Sequence, residues 1–511
     1  MTDRKLAGAA SGELLSELLI REGMDVDFPC AGNHTCGKCK VRARGSLSPI
    51  SASEAAMLTA DEIEAGLRMA CFAKVFGPVE VCLPERQGEQ IMAHGKGTVS
   101  VGEPMIACGS YGAAIDIGTT TVVCKLYDHS GRELGVESEL NAQRAFGADV
   151  ISRINYGIMN GNEIICQAVV SQLETMLGRL AKGAGVPRHK INRAVVTGNT
   201  TMLHFFVGLD PKGIGFVPFI PESLFGCEVG EILSGVEVYI PPCVSAYVGA
   251  DLACCLLASG MCAKKESSLI IDIGTNGEMA LFKEGRLRCC STAAGPAFEG
   301  AGISCGMAAS AGAIAHARLE GESISYDTIG GAEARGICGS GIVDITAALL
   351  EAEALLSSGR LERKGSAVTE AIDEENGFFT FPGSRVKVTQ EDIRKVQMAK
   401  AAINAGVMTL SAHCEIEPEE IDVLYLCGGF GSFLNLFAAE KIGLIPPKSV
   451  EHTVVLGNGA ISGAAALLLD KKKINDIKAL IDSCGYIELS GSEKFMDYYI
   501  GSMSFGEEEE E

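Results

Sequence analysis

The sequence predicts a multidomain protein of mixed class, with an α+β unit over residues 1–85 and a larger two-lobed α/β unit from residue 111 onward. Three observations predict it. Cysteines cluster in the first segment, the texture changes at Tyr111, and the pentapeptide Ile-Asp-Ile-Gly-Thr occurs twice at domain spacing.

At 511 residues, 47% of them hydrophobic, the chain can bury several cores. A net charge of −22 with no Lys/Arg-rich block argues against nucleic acid as a partner, because binding phosphate backbones needs cationic contacts. No apolar run approaches the roughly 20 residues that span a bilayer, and the opening lacks a signal-peptide plan. A cytoplasmic protein with no membrane contact is therefore expected. The 20 cysteines then read as thiols or metal ligands, since the cytosol keeps thiols reduced. Single ones such as Cys124, Cys166 and Cys427 read as small buried hydrophobes.

In the first unit, Cys30, Cys36 and Cys39 give C-x5-C-x2-C, and Cys71 follows as a distant fourth. This is close to the plant-type [2Fe–2S] spacing, which has four residues in the first gap rather than five. The small residues Ala31, Gly32 and Gly37 let backbone amides fold around a cluster. Structural zinc is the competing reading, but it favours two close pairs and only Cys36 and Cys39 form one. A ferredoxin β-grasp domain opens with a hairpin, whereas here a helix-like segment begins at Gly12, so the first hairpin reads as truncated. Residues 86–110 are Gly-rich, polar and aperiodic, and read as a linker.

From Tyr111 the pattern is of glycine-punctuated strands alternating with amphipathic helices. Residues 113–128 (AAIDIGTTTVVCKLYD) and 269–284 (LIIDIGTNGEMALFKE) repeat one strand–turn–strand unit, which predicts lobe I over 111–262 and lobe II over 263–505. A C-terminal helix is allowed to return to lobe I, and 506–511 reads as an acidic tail. Before the last motif, Thr389 is a plausible N-cap with Asp392 three residues on. The stripe Ile393, Val396, Ile403, Val407 and Leu410 after it is core.

In an Asp-x-Gly-Thr turn the glycine admits a phosphate to the backbone, successive amides make an anion-binding concavity, and the Asp can face Mg²⁺. One half-clamp is thus Asp116, Gly118, Thr119, Thr120 and Thr121, the other Asp272, Gly274, Thr275, Asn276 and Gly277. Asp116 and Asp272 are the expected catalytic residues. A third turn, LYLCGGFGSFLN over 424–435, brings Gly428, Gly429 and Gly431 to a base or ribose. P-loop spacing is absent, which disfavours a Walker-type ATPase. The order of the three turns resembles that of the actin, heat-shock-chaperone and sugar-kinase ATPases, which implies ATP between two lobes.

With the ferredoxin-like start, the whole resembles the ATP-dependent reductive activators of corrinoid proteins. The match includes NAQRAFGADVISRI (141–154), VVTGNTTMLHF (195–205), PPCVSAYVGADL (241–252), GPAFEGAGISCGM (295–307), GICGSGIVD (336–344) and GNGAISGAAALLL (457–469). The resemblance implies a corrinoid-protein partner reduced from Co(II) to Co(I) in an anaerobic methyltransferase or O-demethylase system. It also implies a donor such as reduced ferredoxin, and it leaves room for a homodimer. Because the linker leads straight into the first phosphate motif, the middle domain of longer members is expected to be missing. Two other readings stand beside it: an activator of 2-hydroxyacyl-CoA dehydratases or benzoyl-CoA reductases, and a non-enzymatic ATP-gated binding module with a structural metal. Those activators carry no ferredoxin domain, so Cys30 to Cys71 weigh against the first.

Overall fold

The structure is a computed structural model that describes residues 3–6, 12–22, 24, 34, 37, 39–82, 101–363, 368, 371–381 and 383–506. In the N-terminal unit β3 (Lys40–Leu47) pairs antiparallel with β4 (Leu67–Met69) and with β5 (Lys74–Cys82). The alternating burial of β5 puts Val75, Val79 and Val81 on one face, where Leu15, Leu18 and Leu19 of the helix Leu15–Arg21 cover them. In place of a full opening hairpin there are two short strands, β1 (Asp3–Leu6) and β2 (Glu13–Leu14), each antiparallel to a different part of β5.

The two copies of the repeat build matching sheets. In lobe I, β6 (Tyr111–Ile117), β7 (Thr121–Asp128) and β8 (Glu133–Leu140) form an antiparallel meander. Parallel to β6 lies β9 (Ile191–Gly198), followed by β11 (Val236–Pro242) and β10 (Phe225–Leu233). In lobe II, β12 (Ser268–Ile273), β13 (Gly277–Lys283) and β14 (Arg286–Thr292) repeat the meander, and the strand Val423–Cys427 takes the place of β9. Residues 113–115 and 269–271 are fully buried, as strands covered on both faces require.

The lobes exchange helices. Ala250–Ser259 from lobe I presents Leu252, Cys255 and Leu256 to Ile270, Ala280 and Tyr425 of the lobe II sheet. Gly459–Leu469 crosses the other way and packs Ile461, Ala464 and Leu468 against Ala114, Val123 and Val195 of lobe I. The helix that returns to lobe I is therefore this one, while the last helix, Glu493–Gly501, lies on Gln390–Cys414 of lobe II. Thr389 caps that long helix with its hydroxyl on the Asp392 amide at 3.2 Å, and the five stripe residues are buried.

The described end of the expected linker, 101–110, is not a free tether. Ile106 is buried beside Ala114 and Leu468, and the Met105 amide donates to the Leu468 carbonyl at 2.8 Å. One apolar side chain at the right place converts a polar stretch into part of lobe I.

Candidate functional site

Both repeats deliver their turns into a cleft of about 590 Å³ between the sheets. Asp116, Gly118, Thr119, Thr120 and Thr121 line one side, with Asp272, Gly274, Thr275 and Asn276 facing them and Gly428 and Gly429 at one end. Gly277 and Gly431 do not line it. Gly277 opens β13 packed against Thr292 and Ile403, and Gly431 is buried beside Leu426.

The first turn is held from behind. Asn141 Nδ2 donates to the Gly118 carbonyl at 2.7 Å, and Arg153, fully buried, donates to the carbonyls of Thr119 and of Gly147. Carbonyls drawn into the lobe leave the turn's amides and hydroxyls for the cleft. Burial first, and the charge of Arg144 second, push the Arg153 guanidinium down to about 9. Its cost is offset by three carbonyl or sulfur acceptors, the last being Met202 Sδ at 3.0 Å.

The second turn meets a carboxylate. In the register of β12 with β13, Glu278 lies directly opposite Asp272, whereas Asp116 faces Val123. Like charges so placed repel. Asp251, in the first turn of Ala250–Ser259, hydrogen-bonds to Glu278, which requires a shared proton. Burial is the main cause that pushes Asp116 and Asp272 up to about 7 and Asp251 up to about 6, and it holds Glu278 far above its usual range. Gly428, at φ +85°, brings backbone so close that a Cβ would stand 2.5 Å from Asp272 Oδ1, so only glycine fits.

Glu299, on a short turn after β14, joins the repeats. Thr120 Oγ1 donates to its Oε2 at 3.0 Å and Thr275 Oγ1 to its Oε1 at 2.8 Å. Toward the third turn, Phe430 stacks on Phe298 with centroids 5.1 Å apart and planes 14° from parallel. Gly339 and Ser340, at the start of the helix Gly339–Glu351, and His316 complete that end.

Among the described residues no three His, Cys, Asp or Glu side chains converge as a ready-made metal site. A Mg²⁺ ion facing Asp116 and Asp272 would take its remaining ligands from water and phosphate oxygens, its usual preference. The carboxylates fit such an ion, because a cation would relieve their repulsion.

Of the four expected cluster ligands, Cys30 and Cys36 lie outside the described residues. Cys39 and Cys71 are buried with their sulfurs 3.3 Å apart, so the fold brings these two together, and His34 Nδ1 is 3.3 Å from the Cys71 sulfur. Beneath them Arg68 grips Glu54 through two bonds of 2.8 and 3.0 Å, and Glu54 also takes the Met69 amide at 3.0 Å. This buried fork fixes the strand that delivers Cys71.

Residues 266–511 match the profile of the C-terminal domain of RACo, the ASKHA domain, and residues 111–264 match that of the RACo middle region. The corrinoid activation enzyme RamQ of Eubacterium limosum is 36% identical over 425 residues, covering 78% of this chain and 70% of that one. The chain belongs to the family of reductive activators of corrinoid proteins. A second relative, the [Co(II) methylated amine-specific corrinoid protein] reductase of Methanosarcina barkeri, is 25% identical and covers 77% of each chain. The solved structure of a reductive activator for a corrinoid, iron–sulfur protein superposes with a TM-score of 0.69 at 30% identity, over 98% of this chain and 96% of that one.

The match to the family's middle region corrects the expectation that this activator lacks one: residues 111–264, which contain the stretch read as lobe I (111–262), match that region. The two-lobed actin-like ATPase fold holds. Sequence reasoning missed Asp251, Glu278, Glu299 and Asn458 in the activator's cleft. A signal existed for Glu278: in the aligned repeats it falls where the first copy has Val122, a carboxylate directly before the apolar run Met279–Phe282.

Proposed function

We propose that this activator binds Mg–ATP between its lobes and uses its hydrolysis to drive one electron from a [2Fe–2S] cluster to a corrinoid protein, taking Co(II) to Co(I). The observation that carries the reading is the convergence of both Ile-Asp-Ile-Gly-Thr turns on one cleft, with the third glycine turn at its end. Asp116 and Asp272 would face the metal. The amides and hydroxyls of 118–121 and 274–276 would hold the phosphates, and Gly428 and Gly429 would flank the nucleoside.

Cys30, Cys36, Cys39 and Cys71 would hold the cluster, which supplies one-electron chemistry near about −400 mV. For a single electron, each 59 mV of uphill gap costs about 1.4 kcal/mol, so a gap of about 100 mV costs only ~2.3 kcal/mol. A partner bound differently in two nucleotide states can supply that much. A low-potential donor such as reduced ferredoxin feeds the first unit. No helix among the described residues is long and apolar enough to cross a membrane, and a cytoplasmic location fits the reduced thiols.

The experiment is to incubate anaerobically purified protein with reductant, Mg–ATP and a Co(II) corrinoid protein and to follow Co(I) by its absorbance. Co(I) formation that needs ATP supports the reading. Its absence, with zinc in place of iron and no colour, would favour a binding module.

A further inference from the structure

The hydroxyls of Thr120 and Thr275 come from different lobes, yet both donate to one side chain, Glu299, at 3.0 and 2.8 Å. A threonine hydroxyl has one hydrogen. While these two hydrogens point at the Glu299 carboxylate, neither can reach a phosphate oxygen. We infer that Glu299 is an internal competitor for the nucleotide's phosphates: it takes up the same hydroxyls that the phosphates need, and ties the lobes together through them. The inference rests on the reading of the cleft as a nucleotide site.

Three features fit this role. A carboxylate has the charge and the acceptor geometry of a phosphate edge, so it satisfies an anion-binding turn as a phosphate would. It is joined to both turns but belongs to neither, sitting in the one-turn helix Pro296–Glu299 that follows β14. Its backbone, moreover, cannot follow it out of the way. Gly300 holds φ +74° with the Met307 carbonyl only 2.3 Å from where a Cβ would stand, so the exchange must be a rotation of the Glu299 side chain.

When phosphate takes the hydroxyls, one lobe-to-lobe bridge replaces another, and the freed carboxylate is repelled by the new anion. Nucleotide occupancy is thereby converted into a rotation of the Glu299 side chain, next to Phe298, whose ring stacks on Phe430 of the third turn.

The test compares wild type, Glu299→Ala and Glu299→Gln as full chains, titrated with Mg–ADP and Mg–ATP by calorimetry. Amide exchange over 118–121 and 274–276 is followed with and without nucleotide. Loss of an acceptor carrying two charge-assisted bonds should tighten nucleotide binding about tenfold or more in Glu299→Ala. Glu299→Gln, which keeps the shape and one acceptor oxygen, should move the same way by less. Without nucleotide both variants should exchange faster in the two turns, and with saturating nucleotide they should match wild type. Equal or weaker affinity in Glu299→Ala, beside a wild type that binds, overturns the inference. A wild type that binds no nucleotide instead overturns the ATP reading, and unchanged exchange in the variants would then overturn the bridge as well.

Discussion

Asn458 donates its side-chain amide to the Asp116 carboxylate at 2.9 Å, joining two residues 342 positions apart and on different lobes. Asn458 caps the helix that crosses to lobe I, so the cleft carboxylate of one repeat is steadied by the element that ties the lobes together.

Replacing Asn458 by Ala leaves Asp116 buried without that donor and raises its pKa further. A hydrogen bond to a charged group is worth about 1.5–3 kcal/mol, so Mg–ATP affinity should fall roughly tenfold or more. Calorimetric titration of the variant checks this, and an unchanged affinity would remove Asn458 from the site.

The cleft carboxylates set a pH dependence of stability. Folded Asp116 and Asp272 titrate at about 7 and Asp251 at about 6, each against a reference of 3.8, so the folded state binds protons more tightly than the unfolded chain. Their stabilising contribution is complete below about pH 4 and is lost as pH rises through about 6 to 7. In chelator, the melting temperature of Asp272→Asn should therefore fall less than that of wild type across this window, and Mg²⁺ should recover part of the wild-type loss at its upper end. Parallel slopes would contradict the assignment.

Much of this site was legible because it is local. A strand, a glycine turn and a second strand form one stretch of sequence, so most residues of the two turns that meet in the cleft could be named one by one. Asp251, Glu299 and Asn458 were not, since each reaches the cleft from an element whose position only the tertiary fold decides. Gly277 and Gly431 failed for the opposite reason. They belong to the right motifs, but strand pairing and helix packing turn them into the core. For 101–110, the described end of the linker, composition alone does not reveal that Ile106 packs beside Ala114 and Leu468.

The buried Glu54–Arg68 fork should govern the N-terminal unit alone. Glu54→Ala strands an unpaired guanidinium 7% exposed, at a cost of about 3–5 kcal/mol, and releases the strand that carries Cys71. Loss of visible absorbance and faster proteolysis within residues 1–82 are expected, with Mg–ATP binding retained. A cluster as stable as wild type would show that the fork does not support it.

The two halves should break separately. Cys36→Ser should cripple the cluster and spare nucleotide binding, while Asp272→Ala should weaken Mg–ATP binding and leave the iron content intact. Iron analysis and calorimetry on both variants decide. Loss of both properties in either variant would mean that the two sites fold as one.

If nucleotide drives the electron uphill, reduction of the partner must depend on it. With a fixed reductant, Co(I) formed in a Co(II) corrinoid protein is recorded with and without Mg–ATP, for wild type and Asp272→Ala. Co(I) should form only for wild type with ATP. Full reduction by Asp272→Ala with no nucleotide present would contradict it.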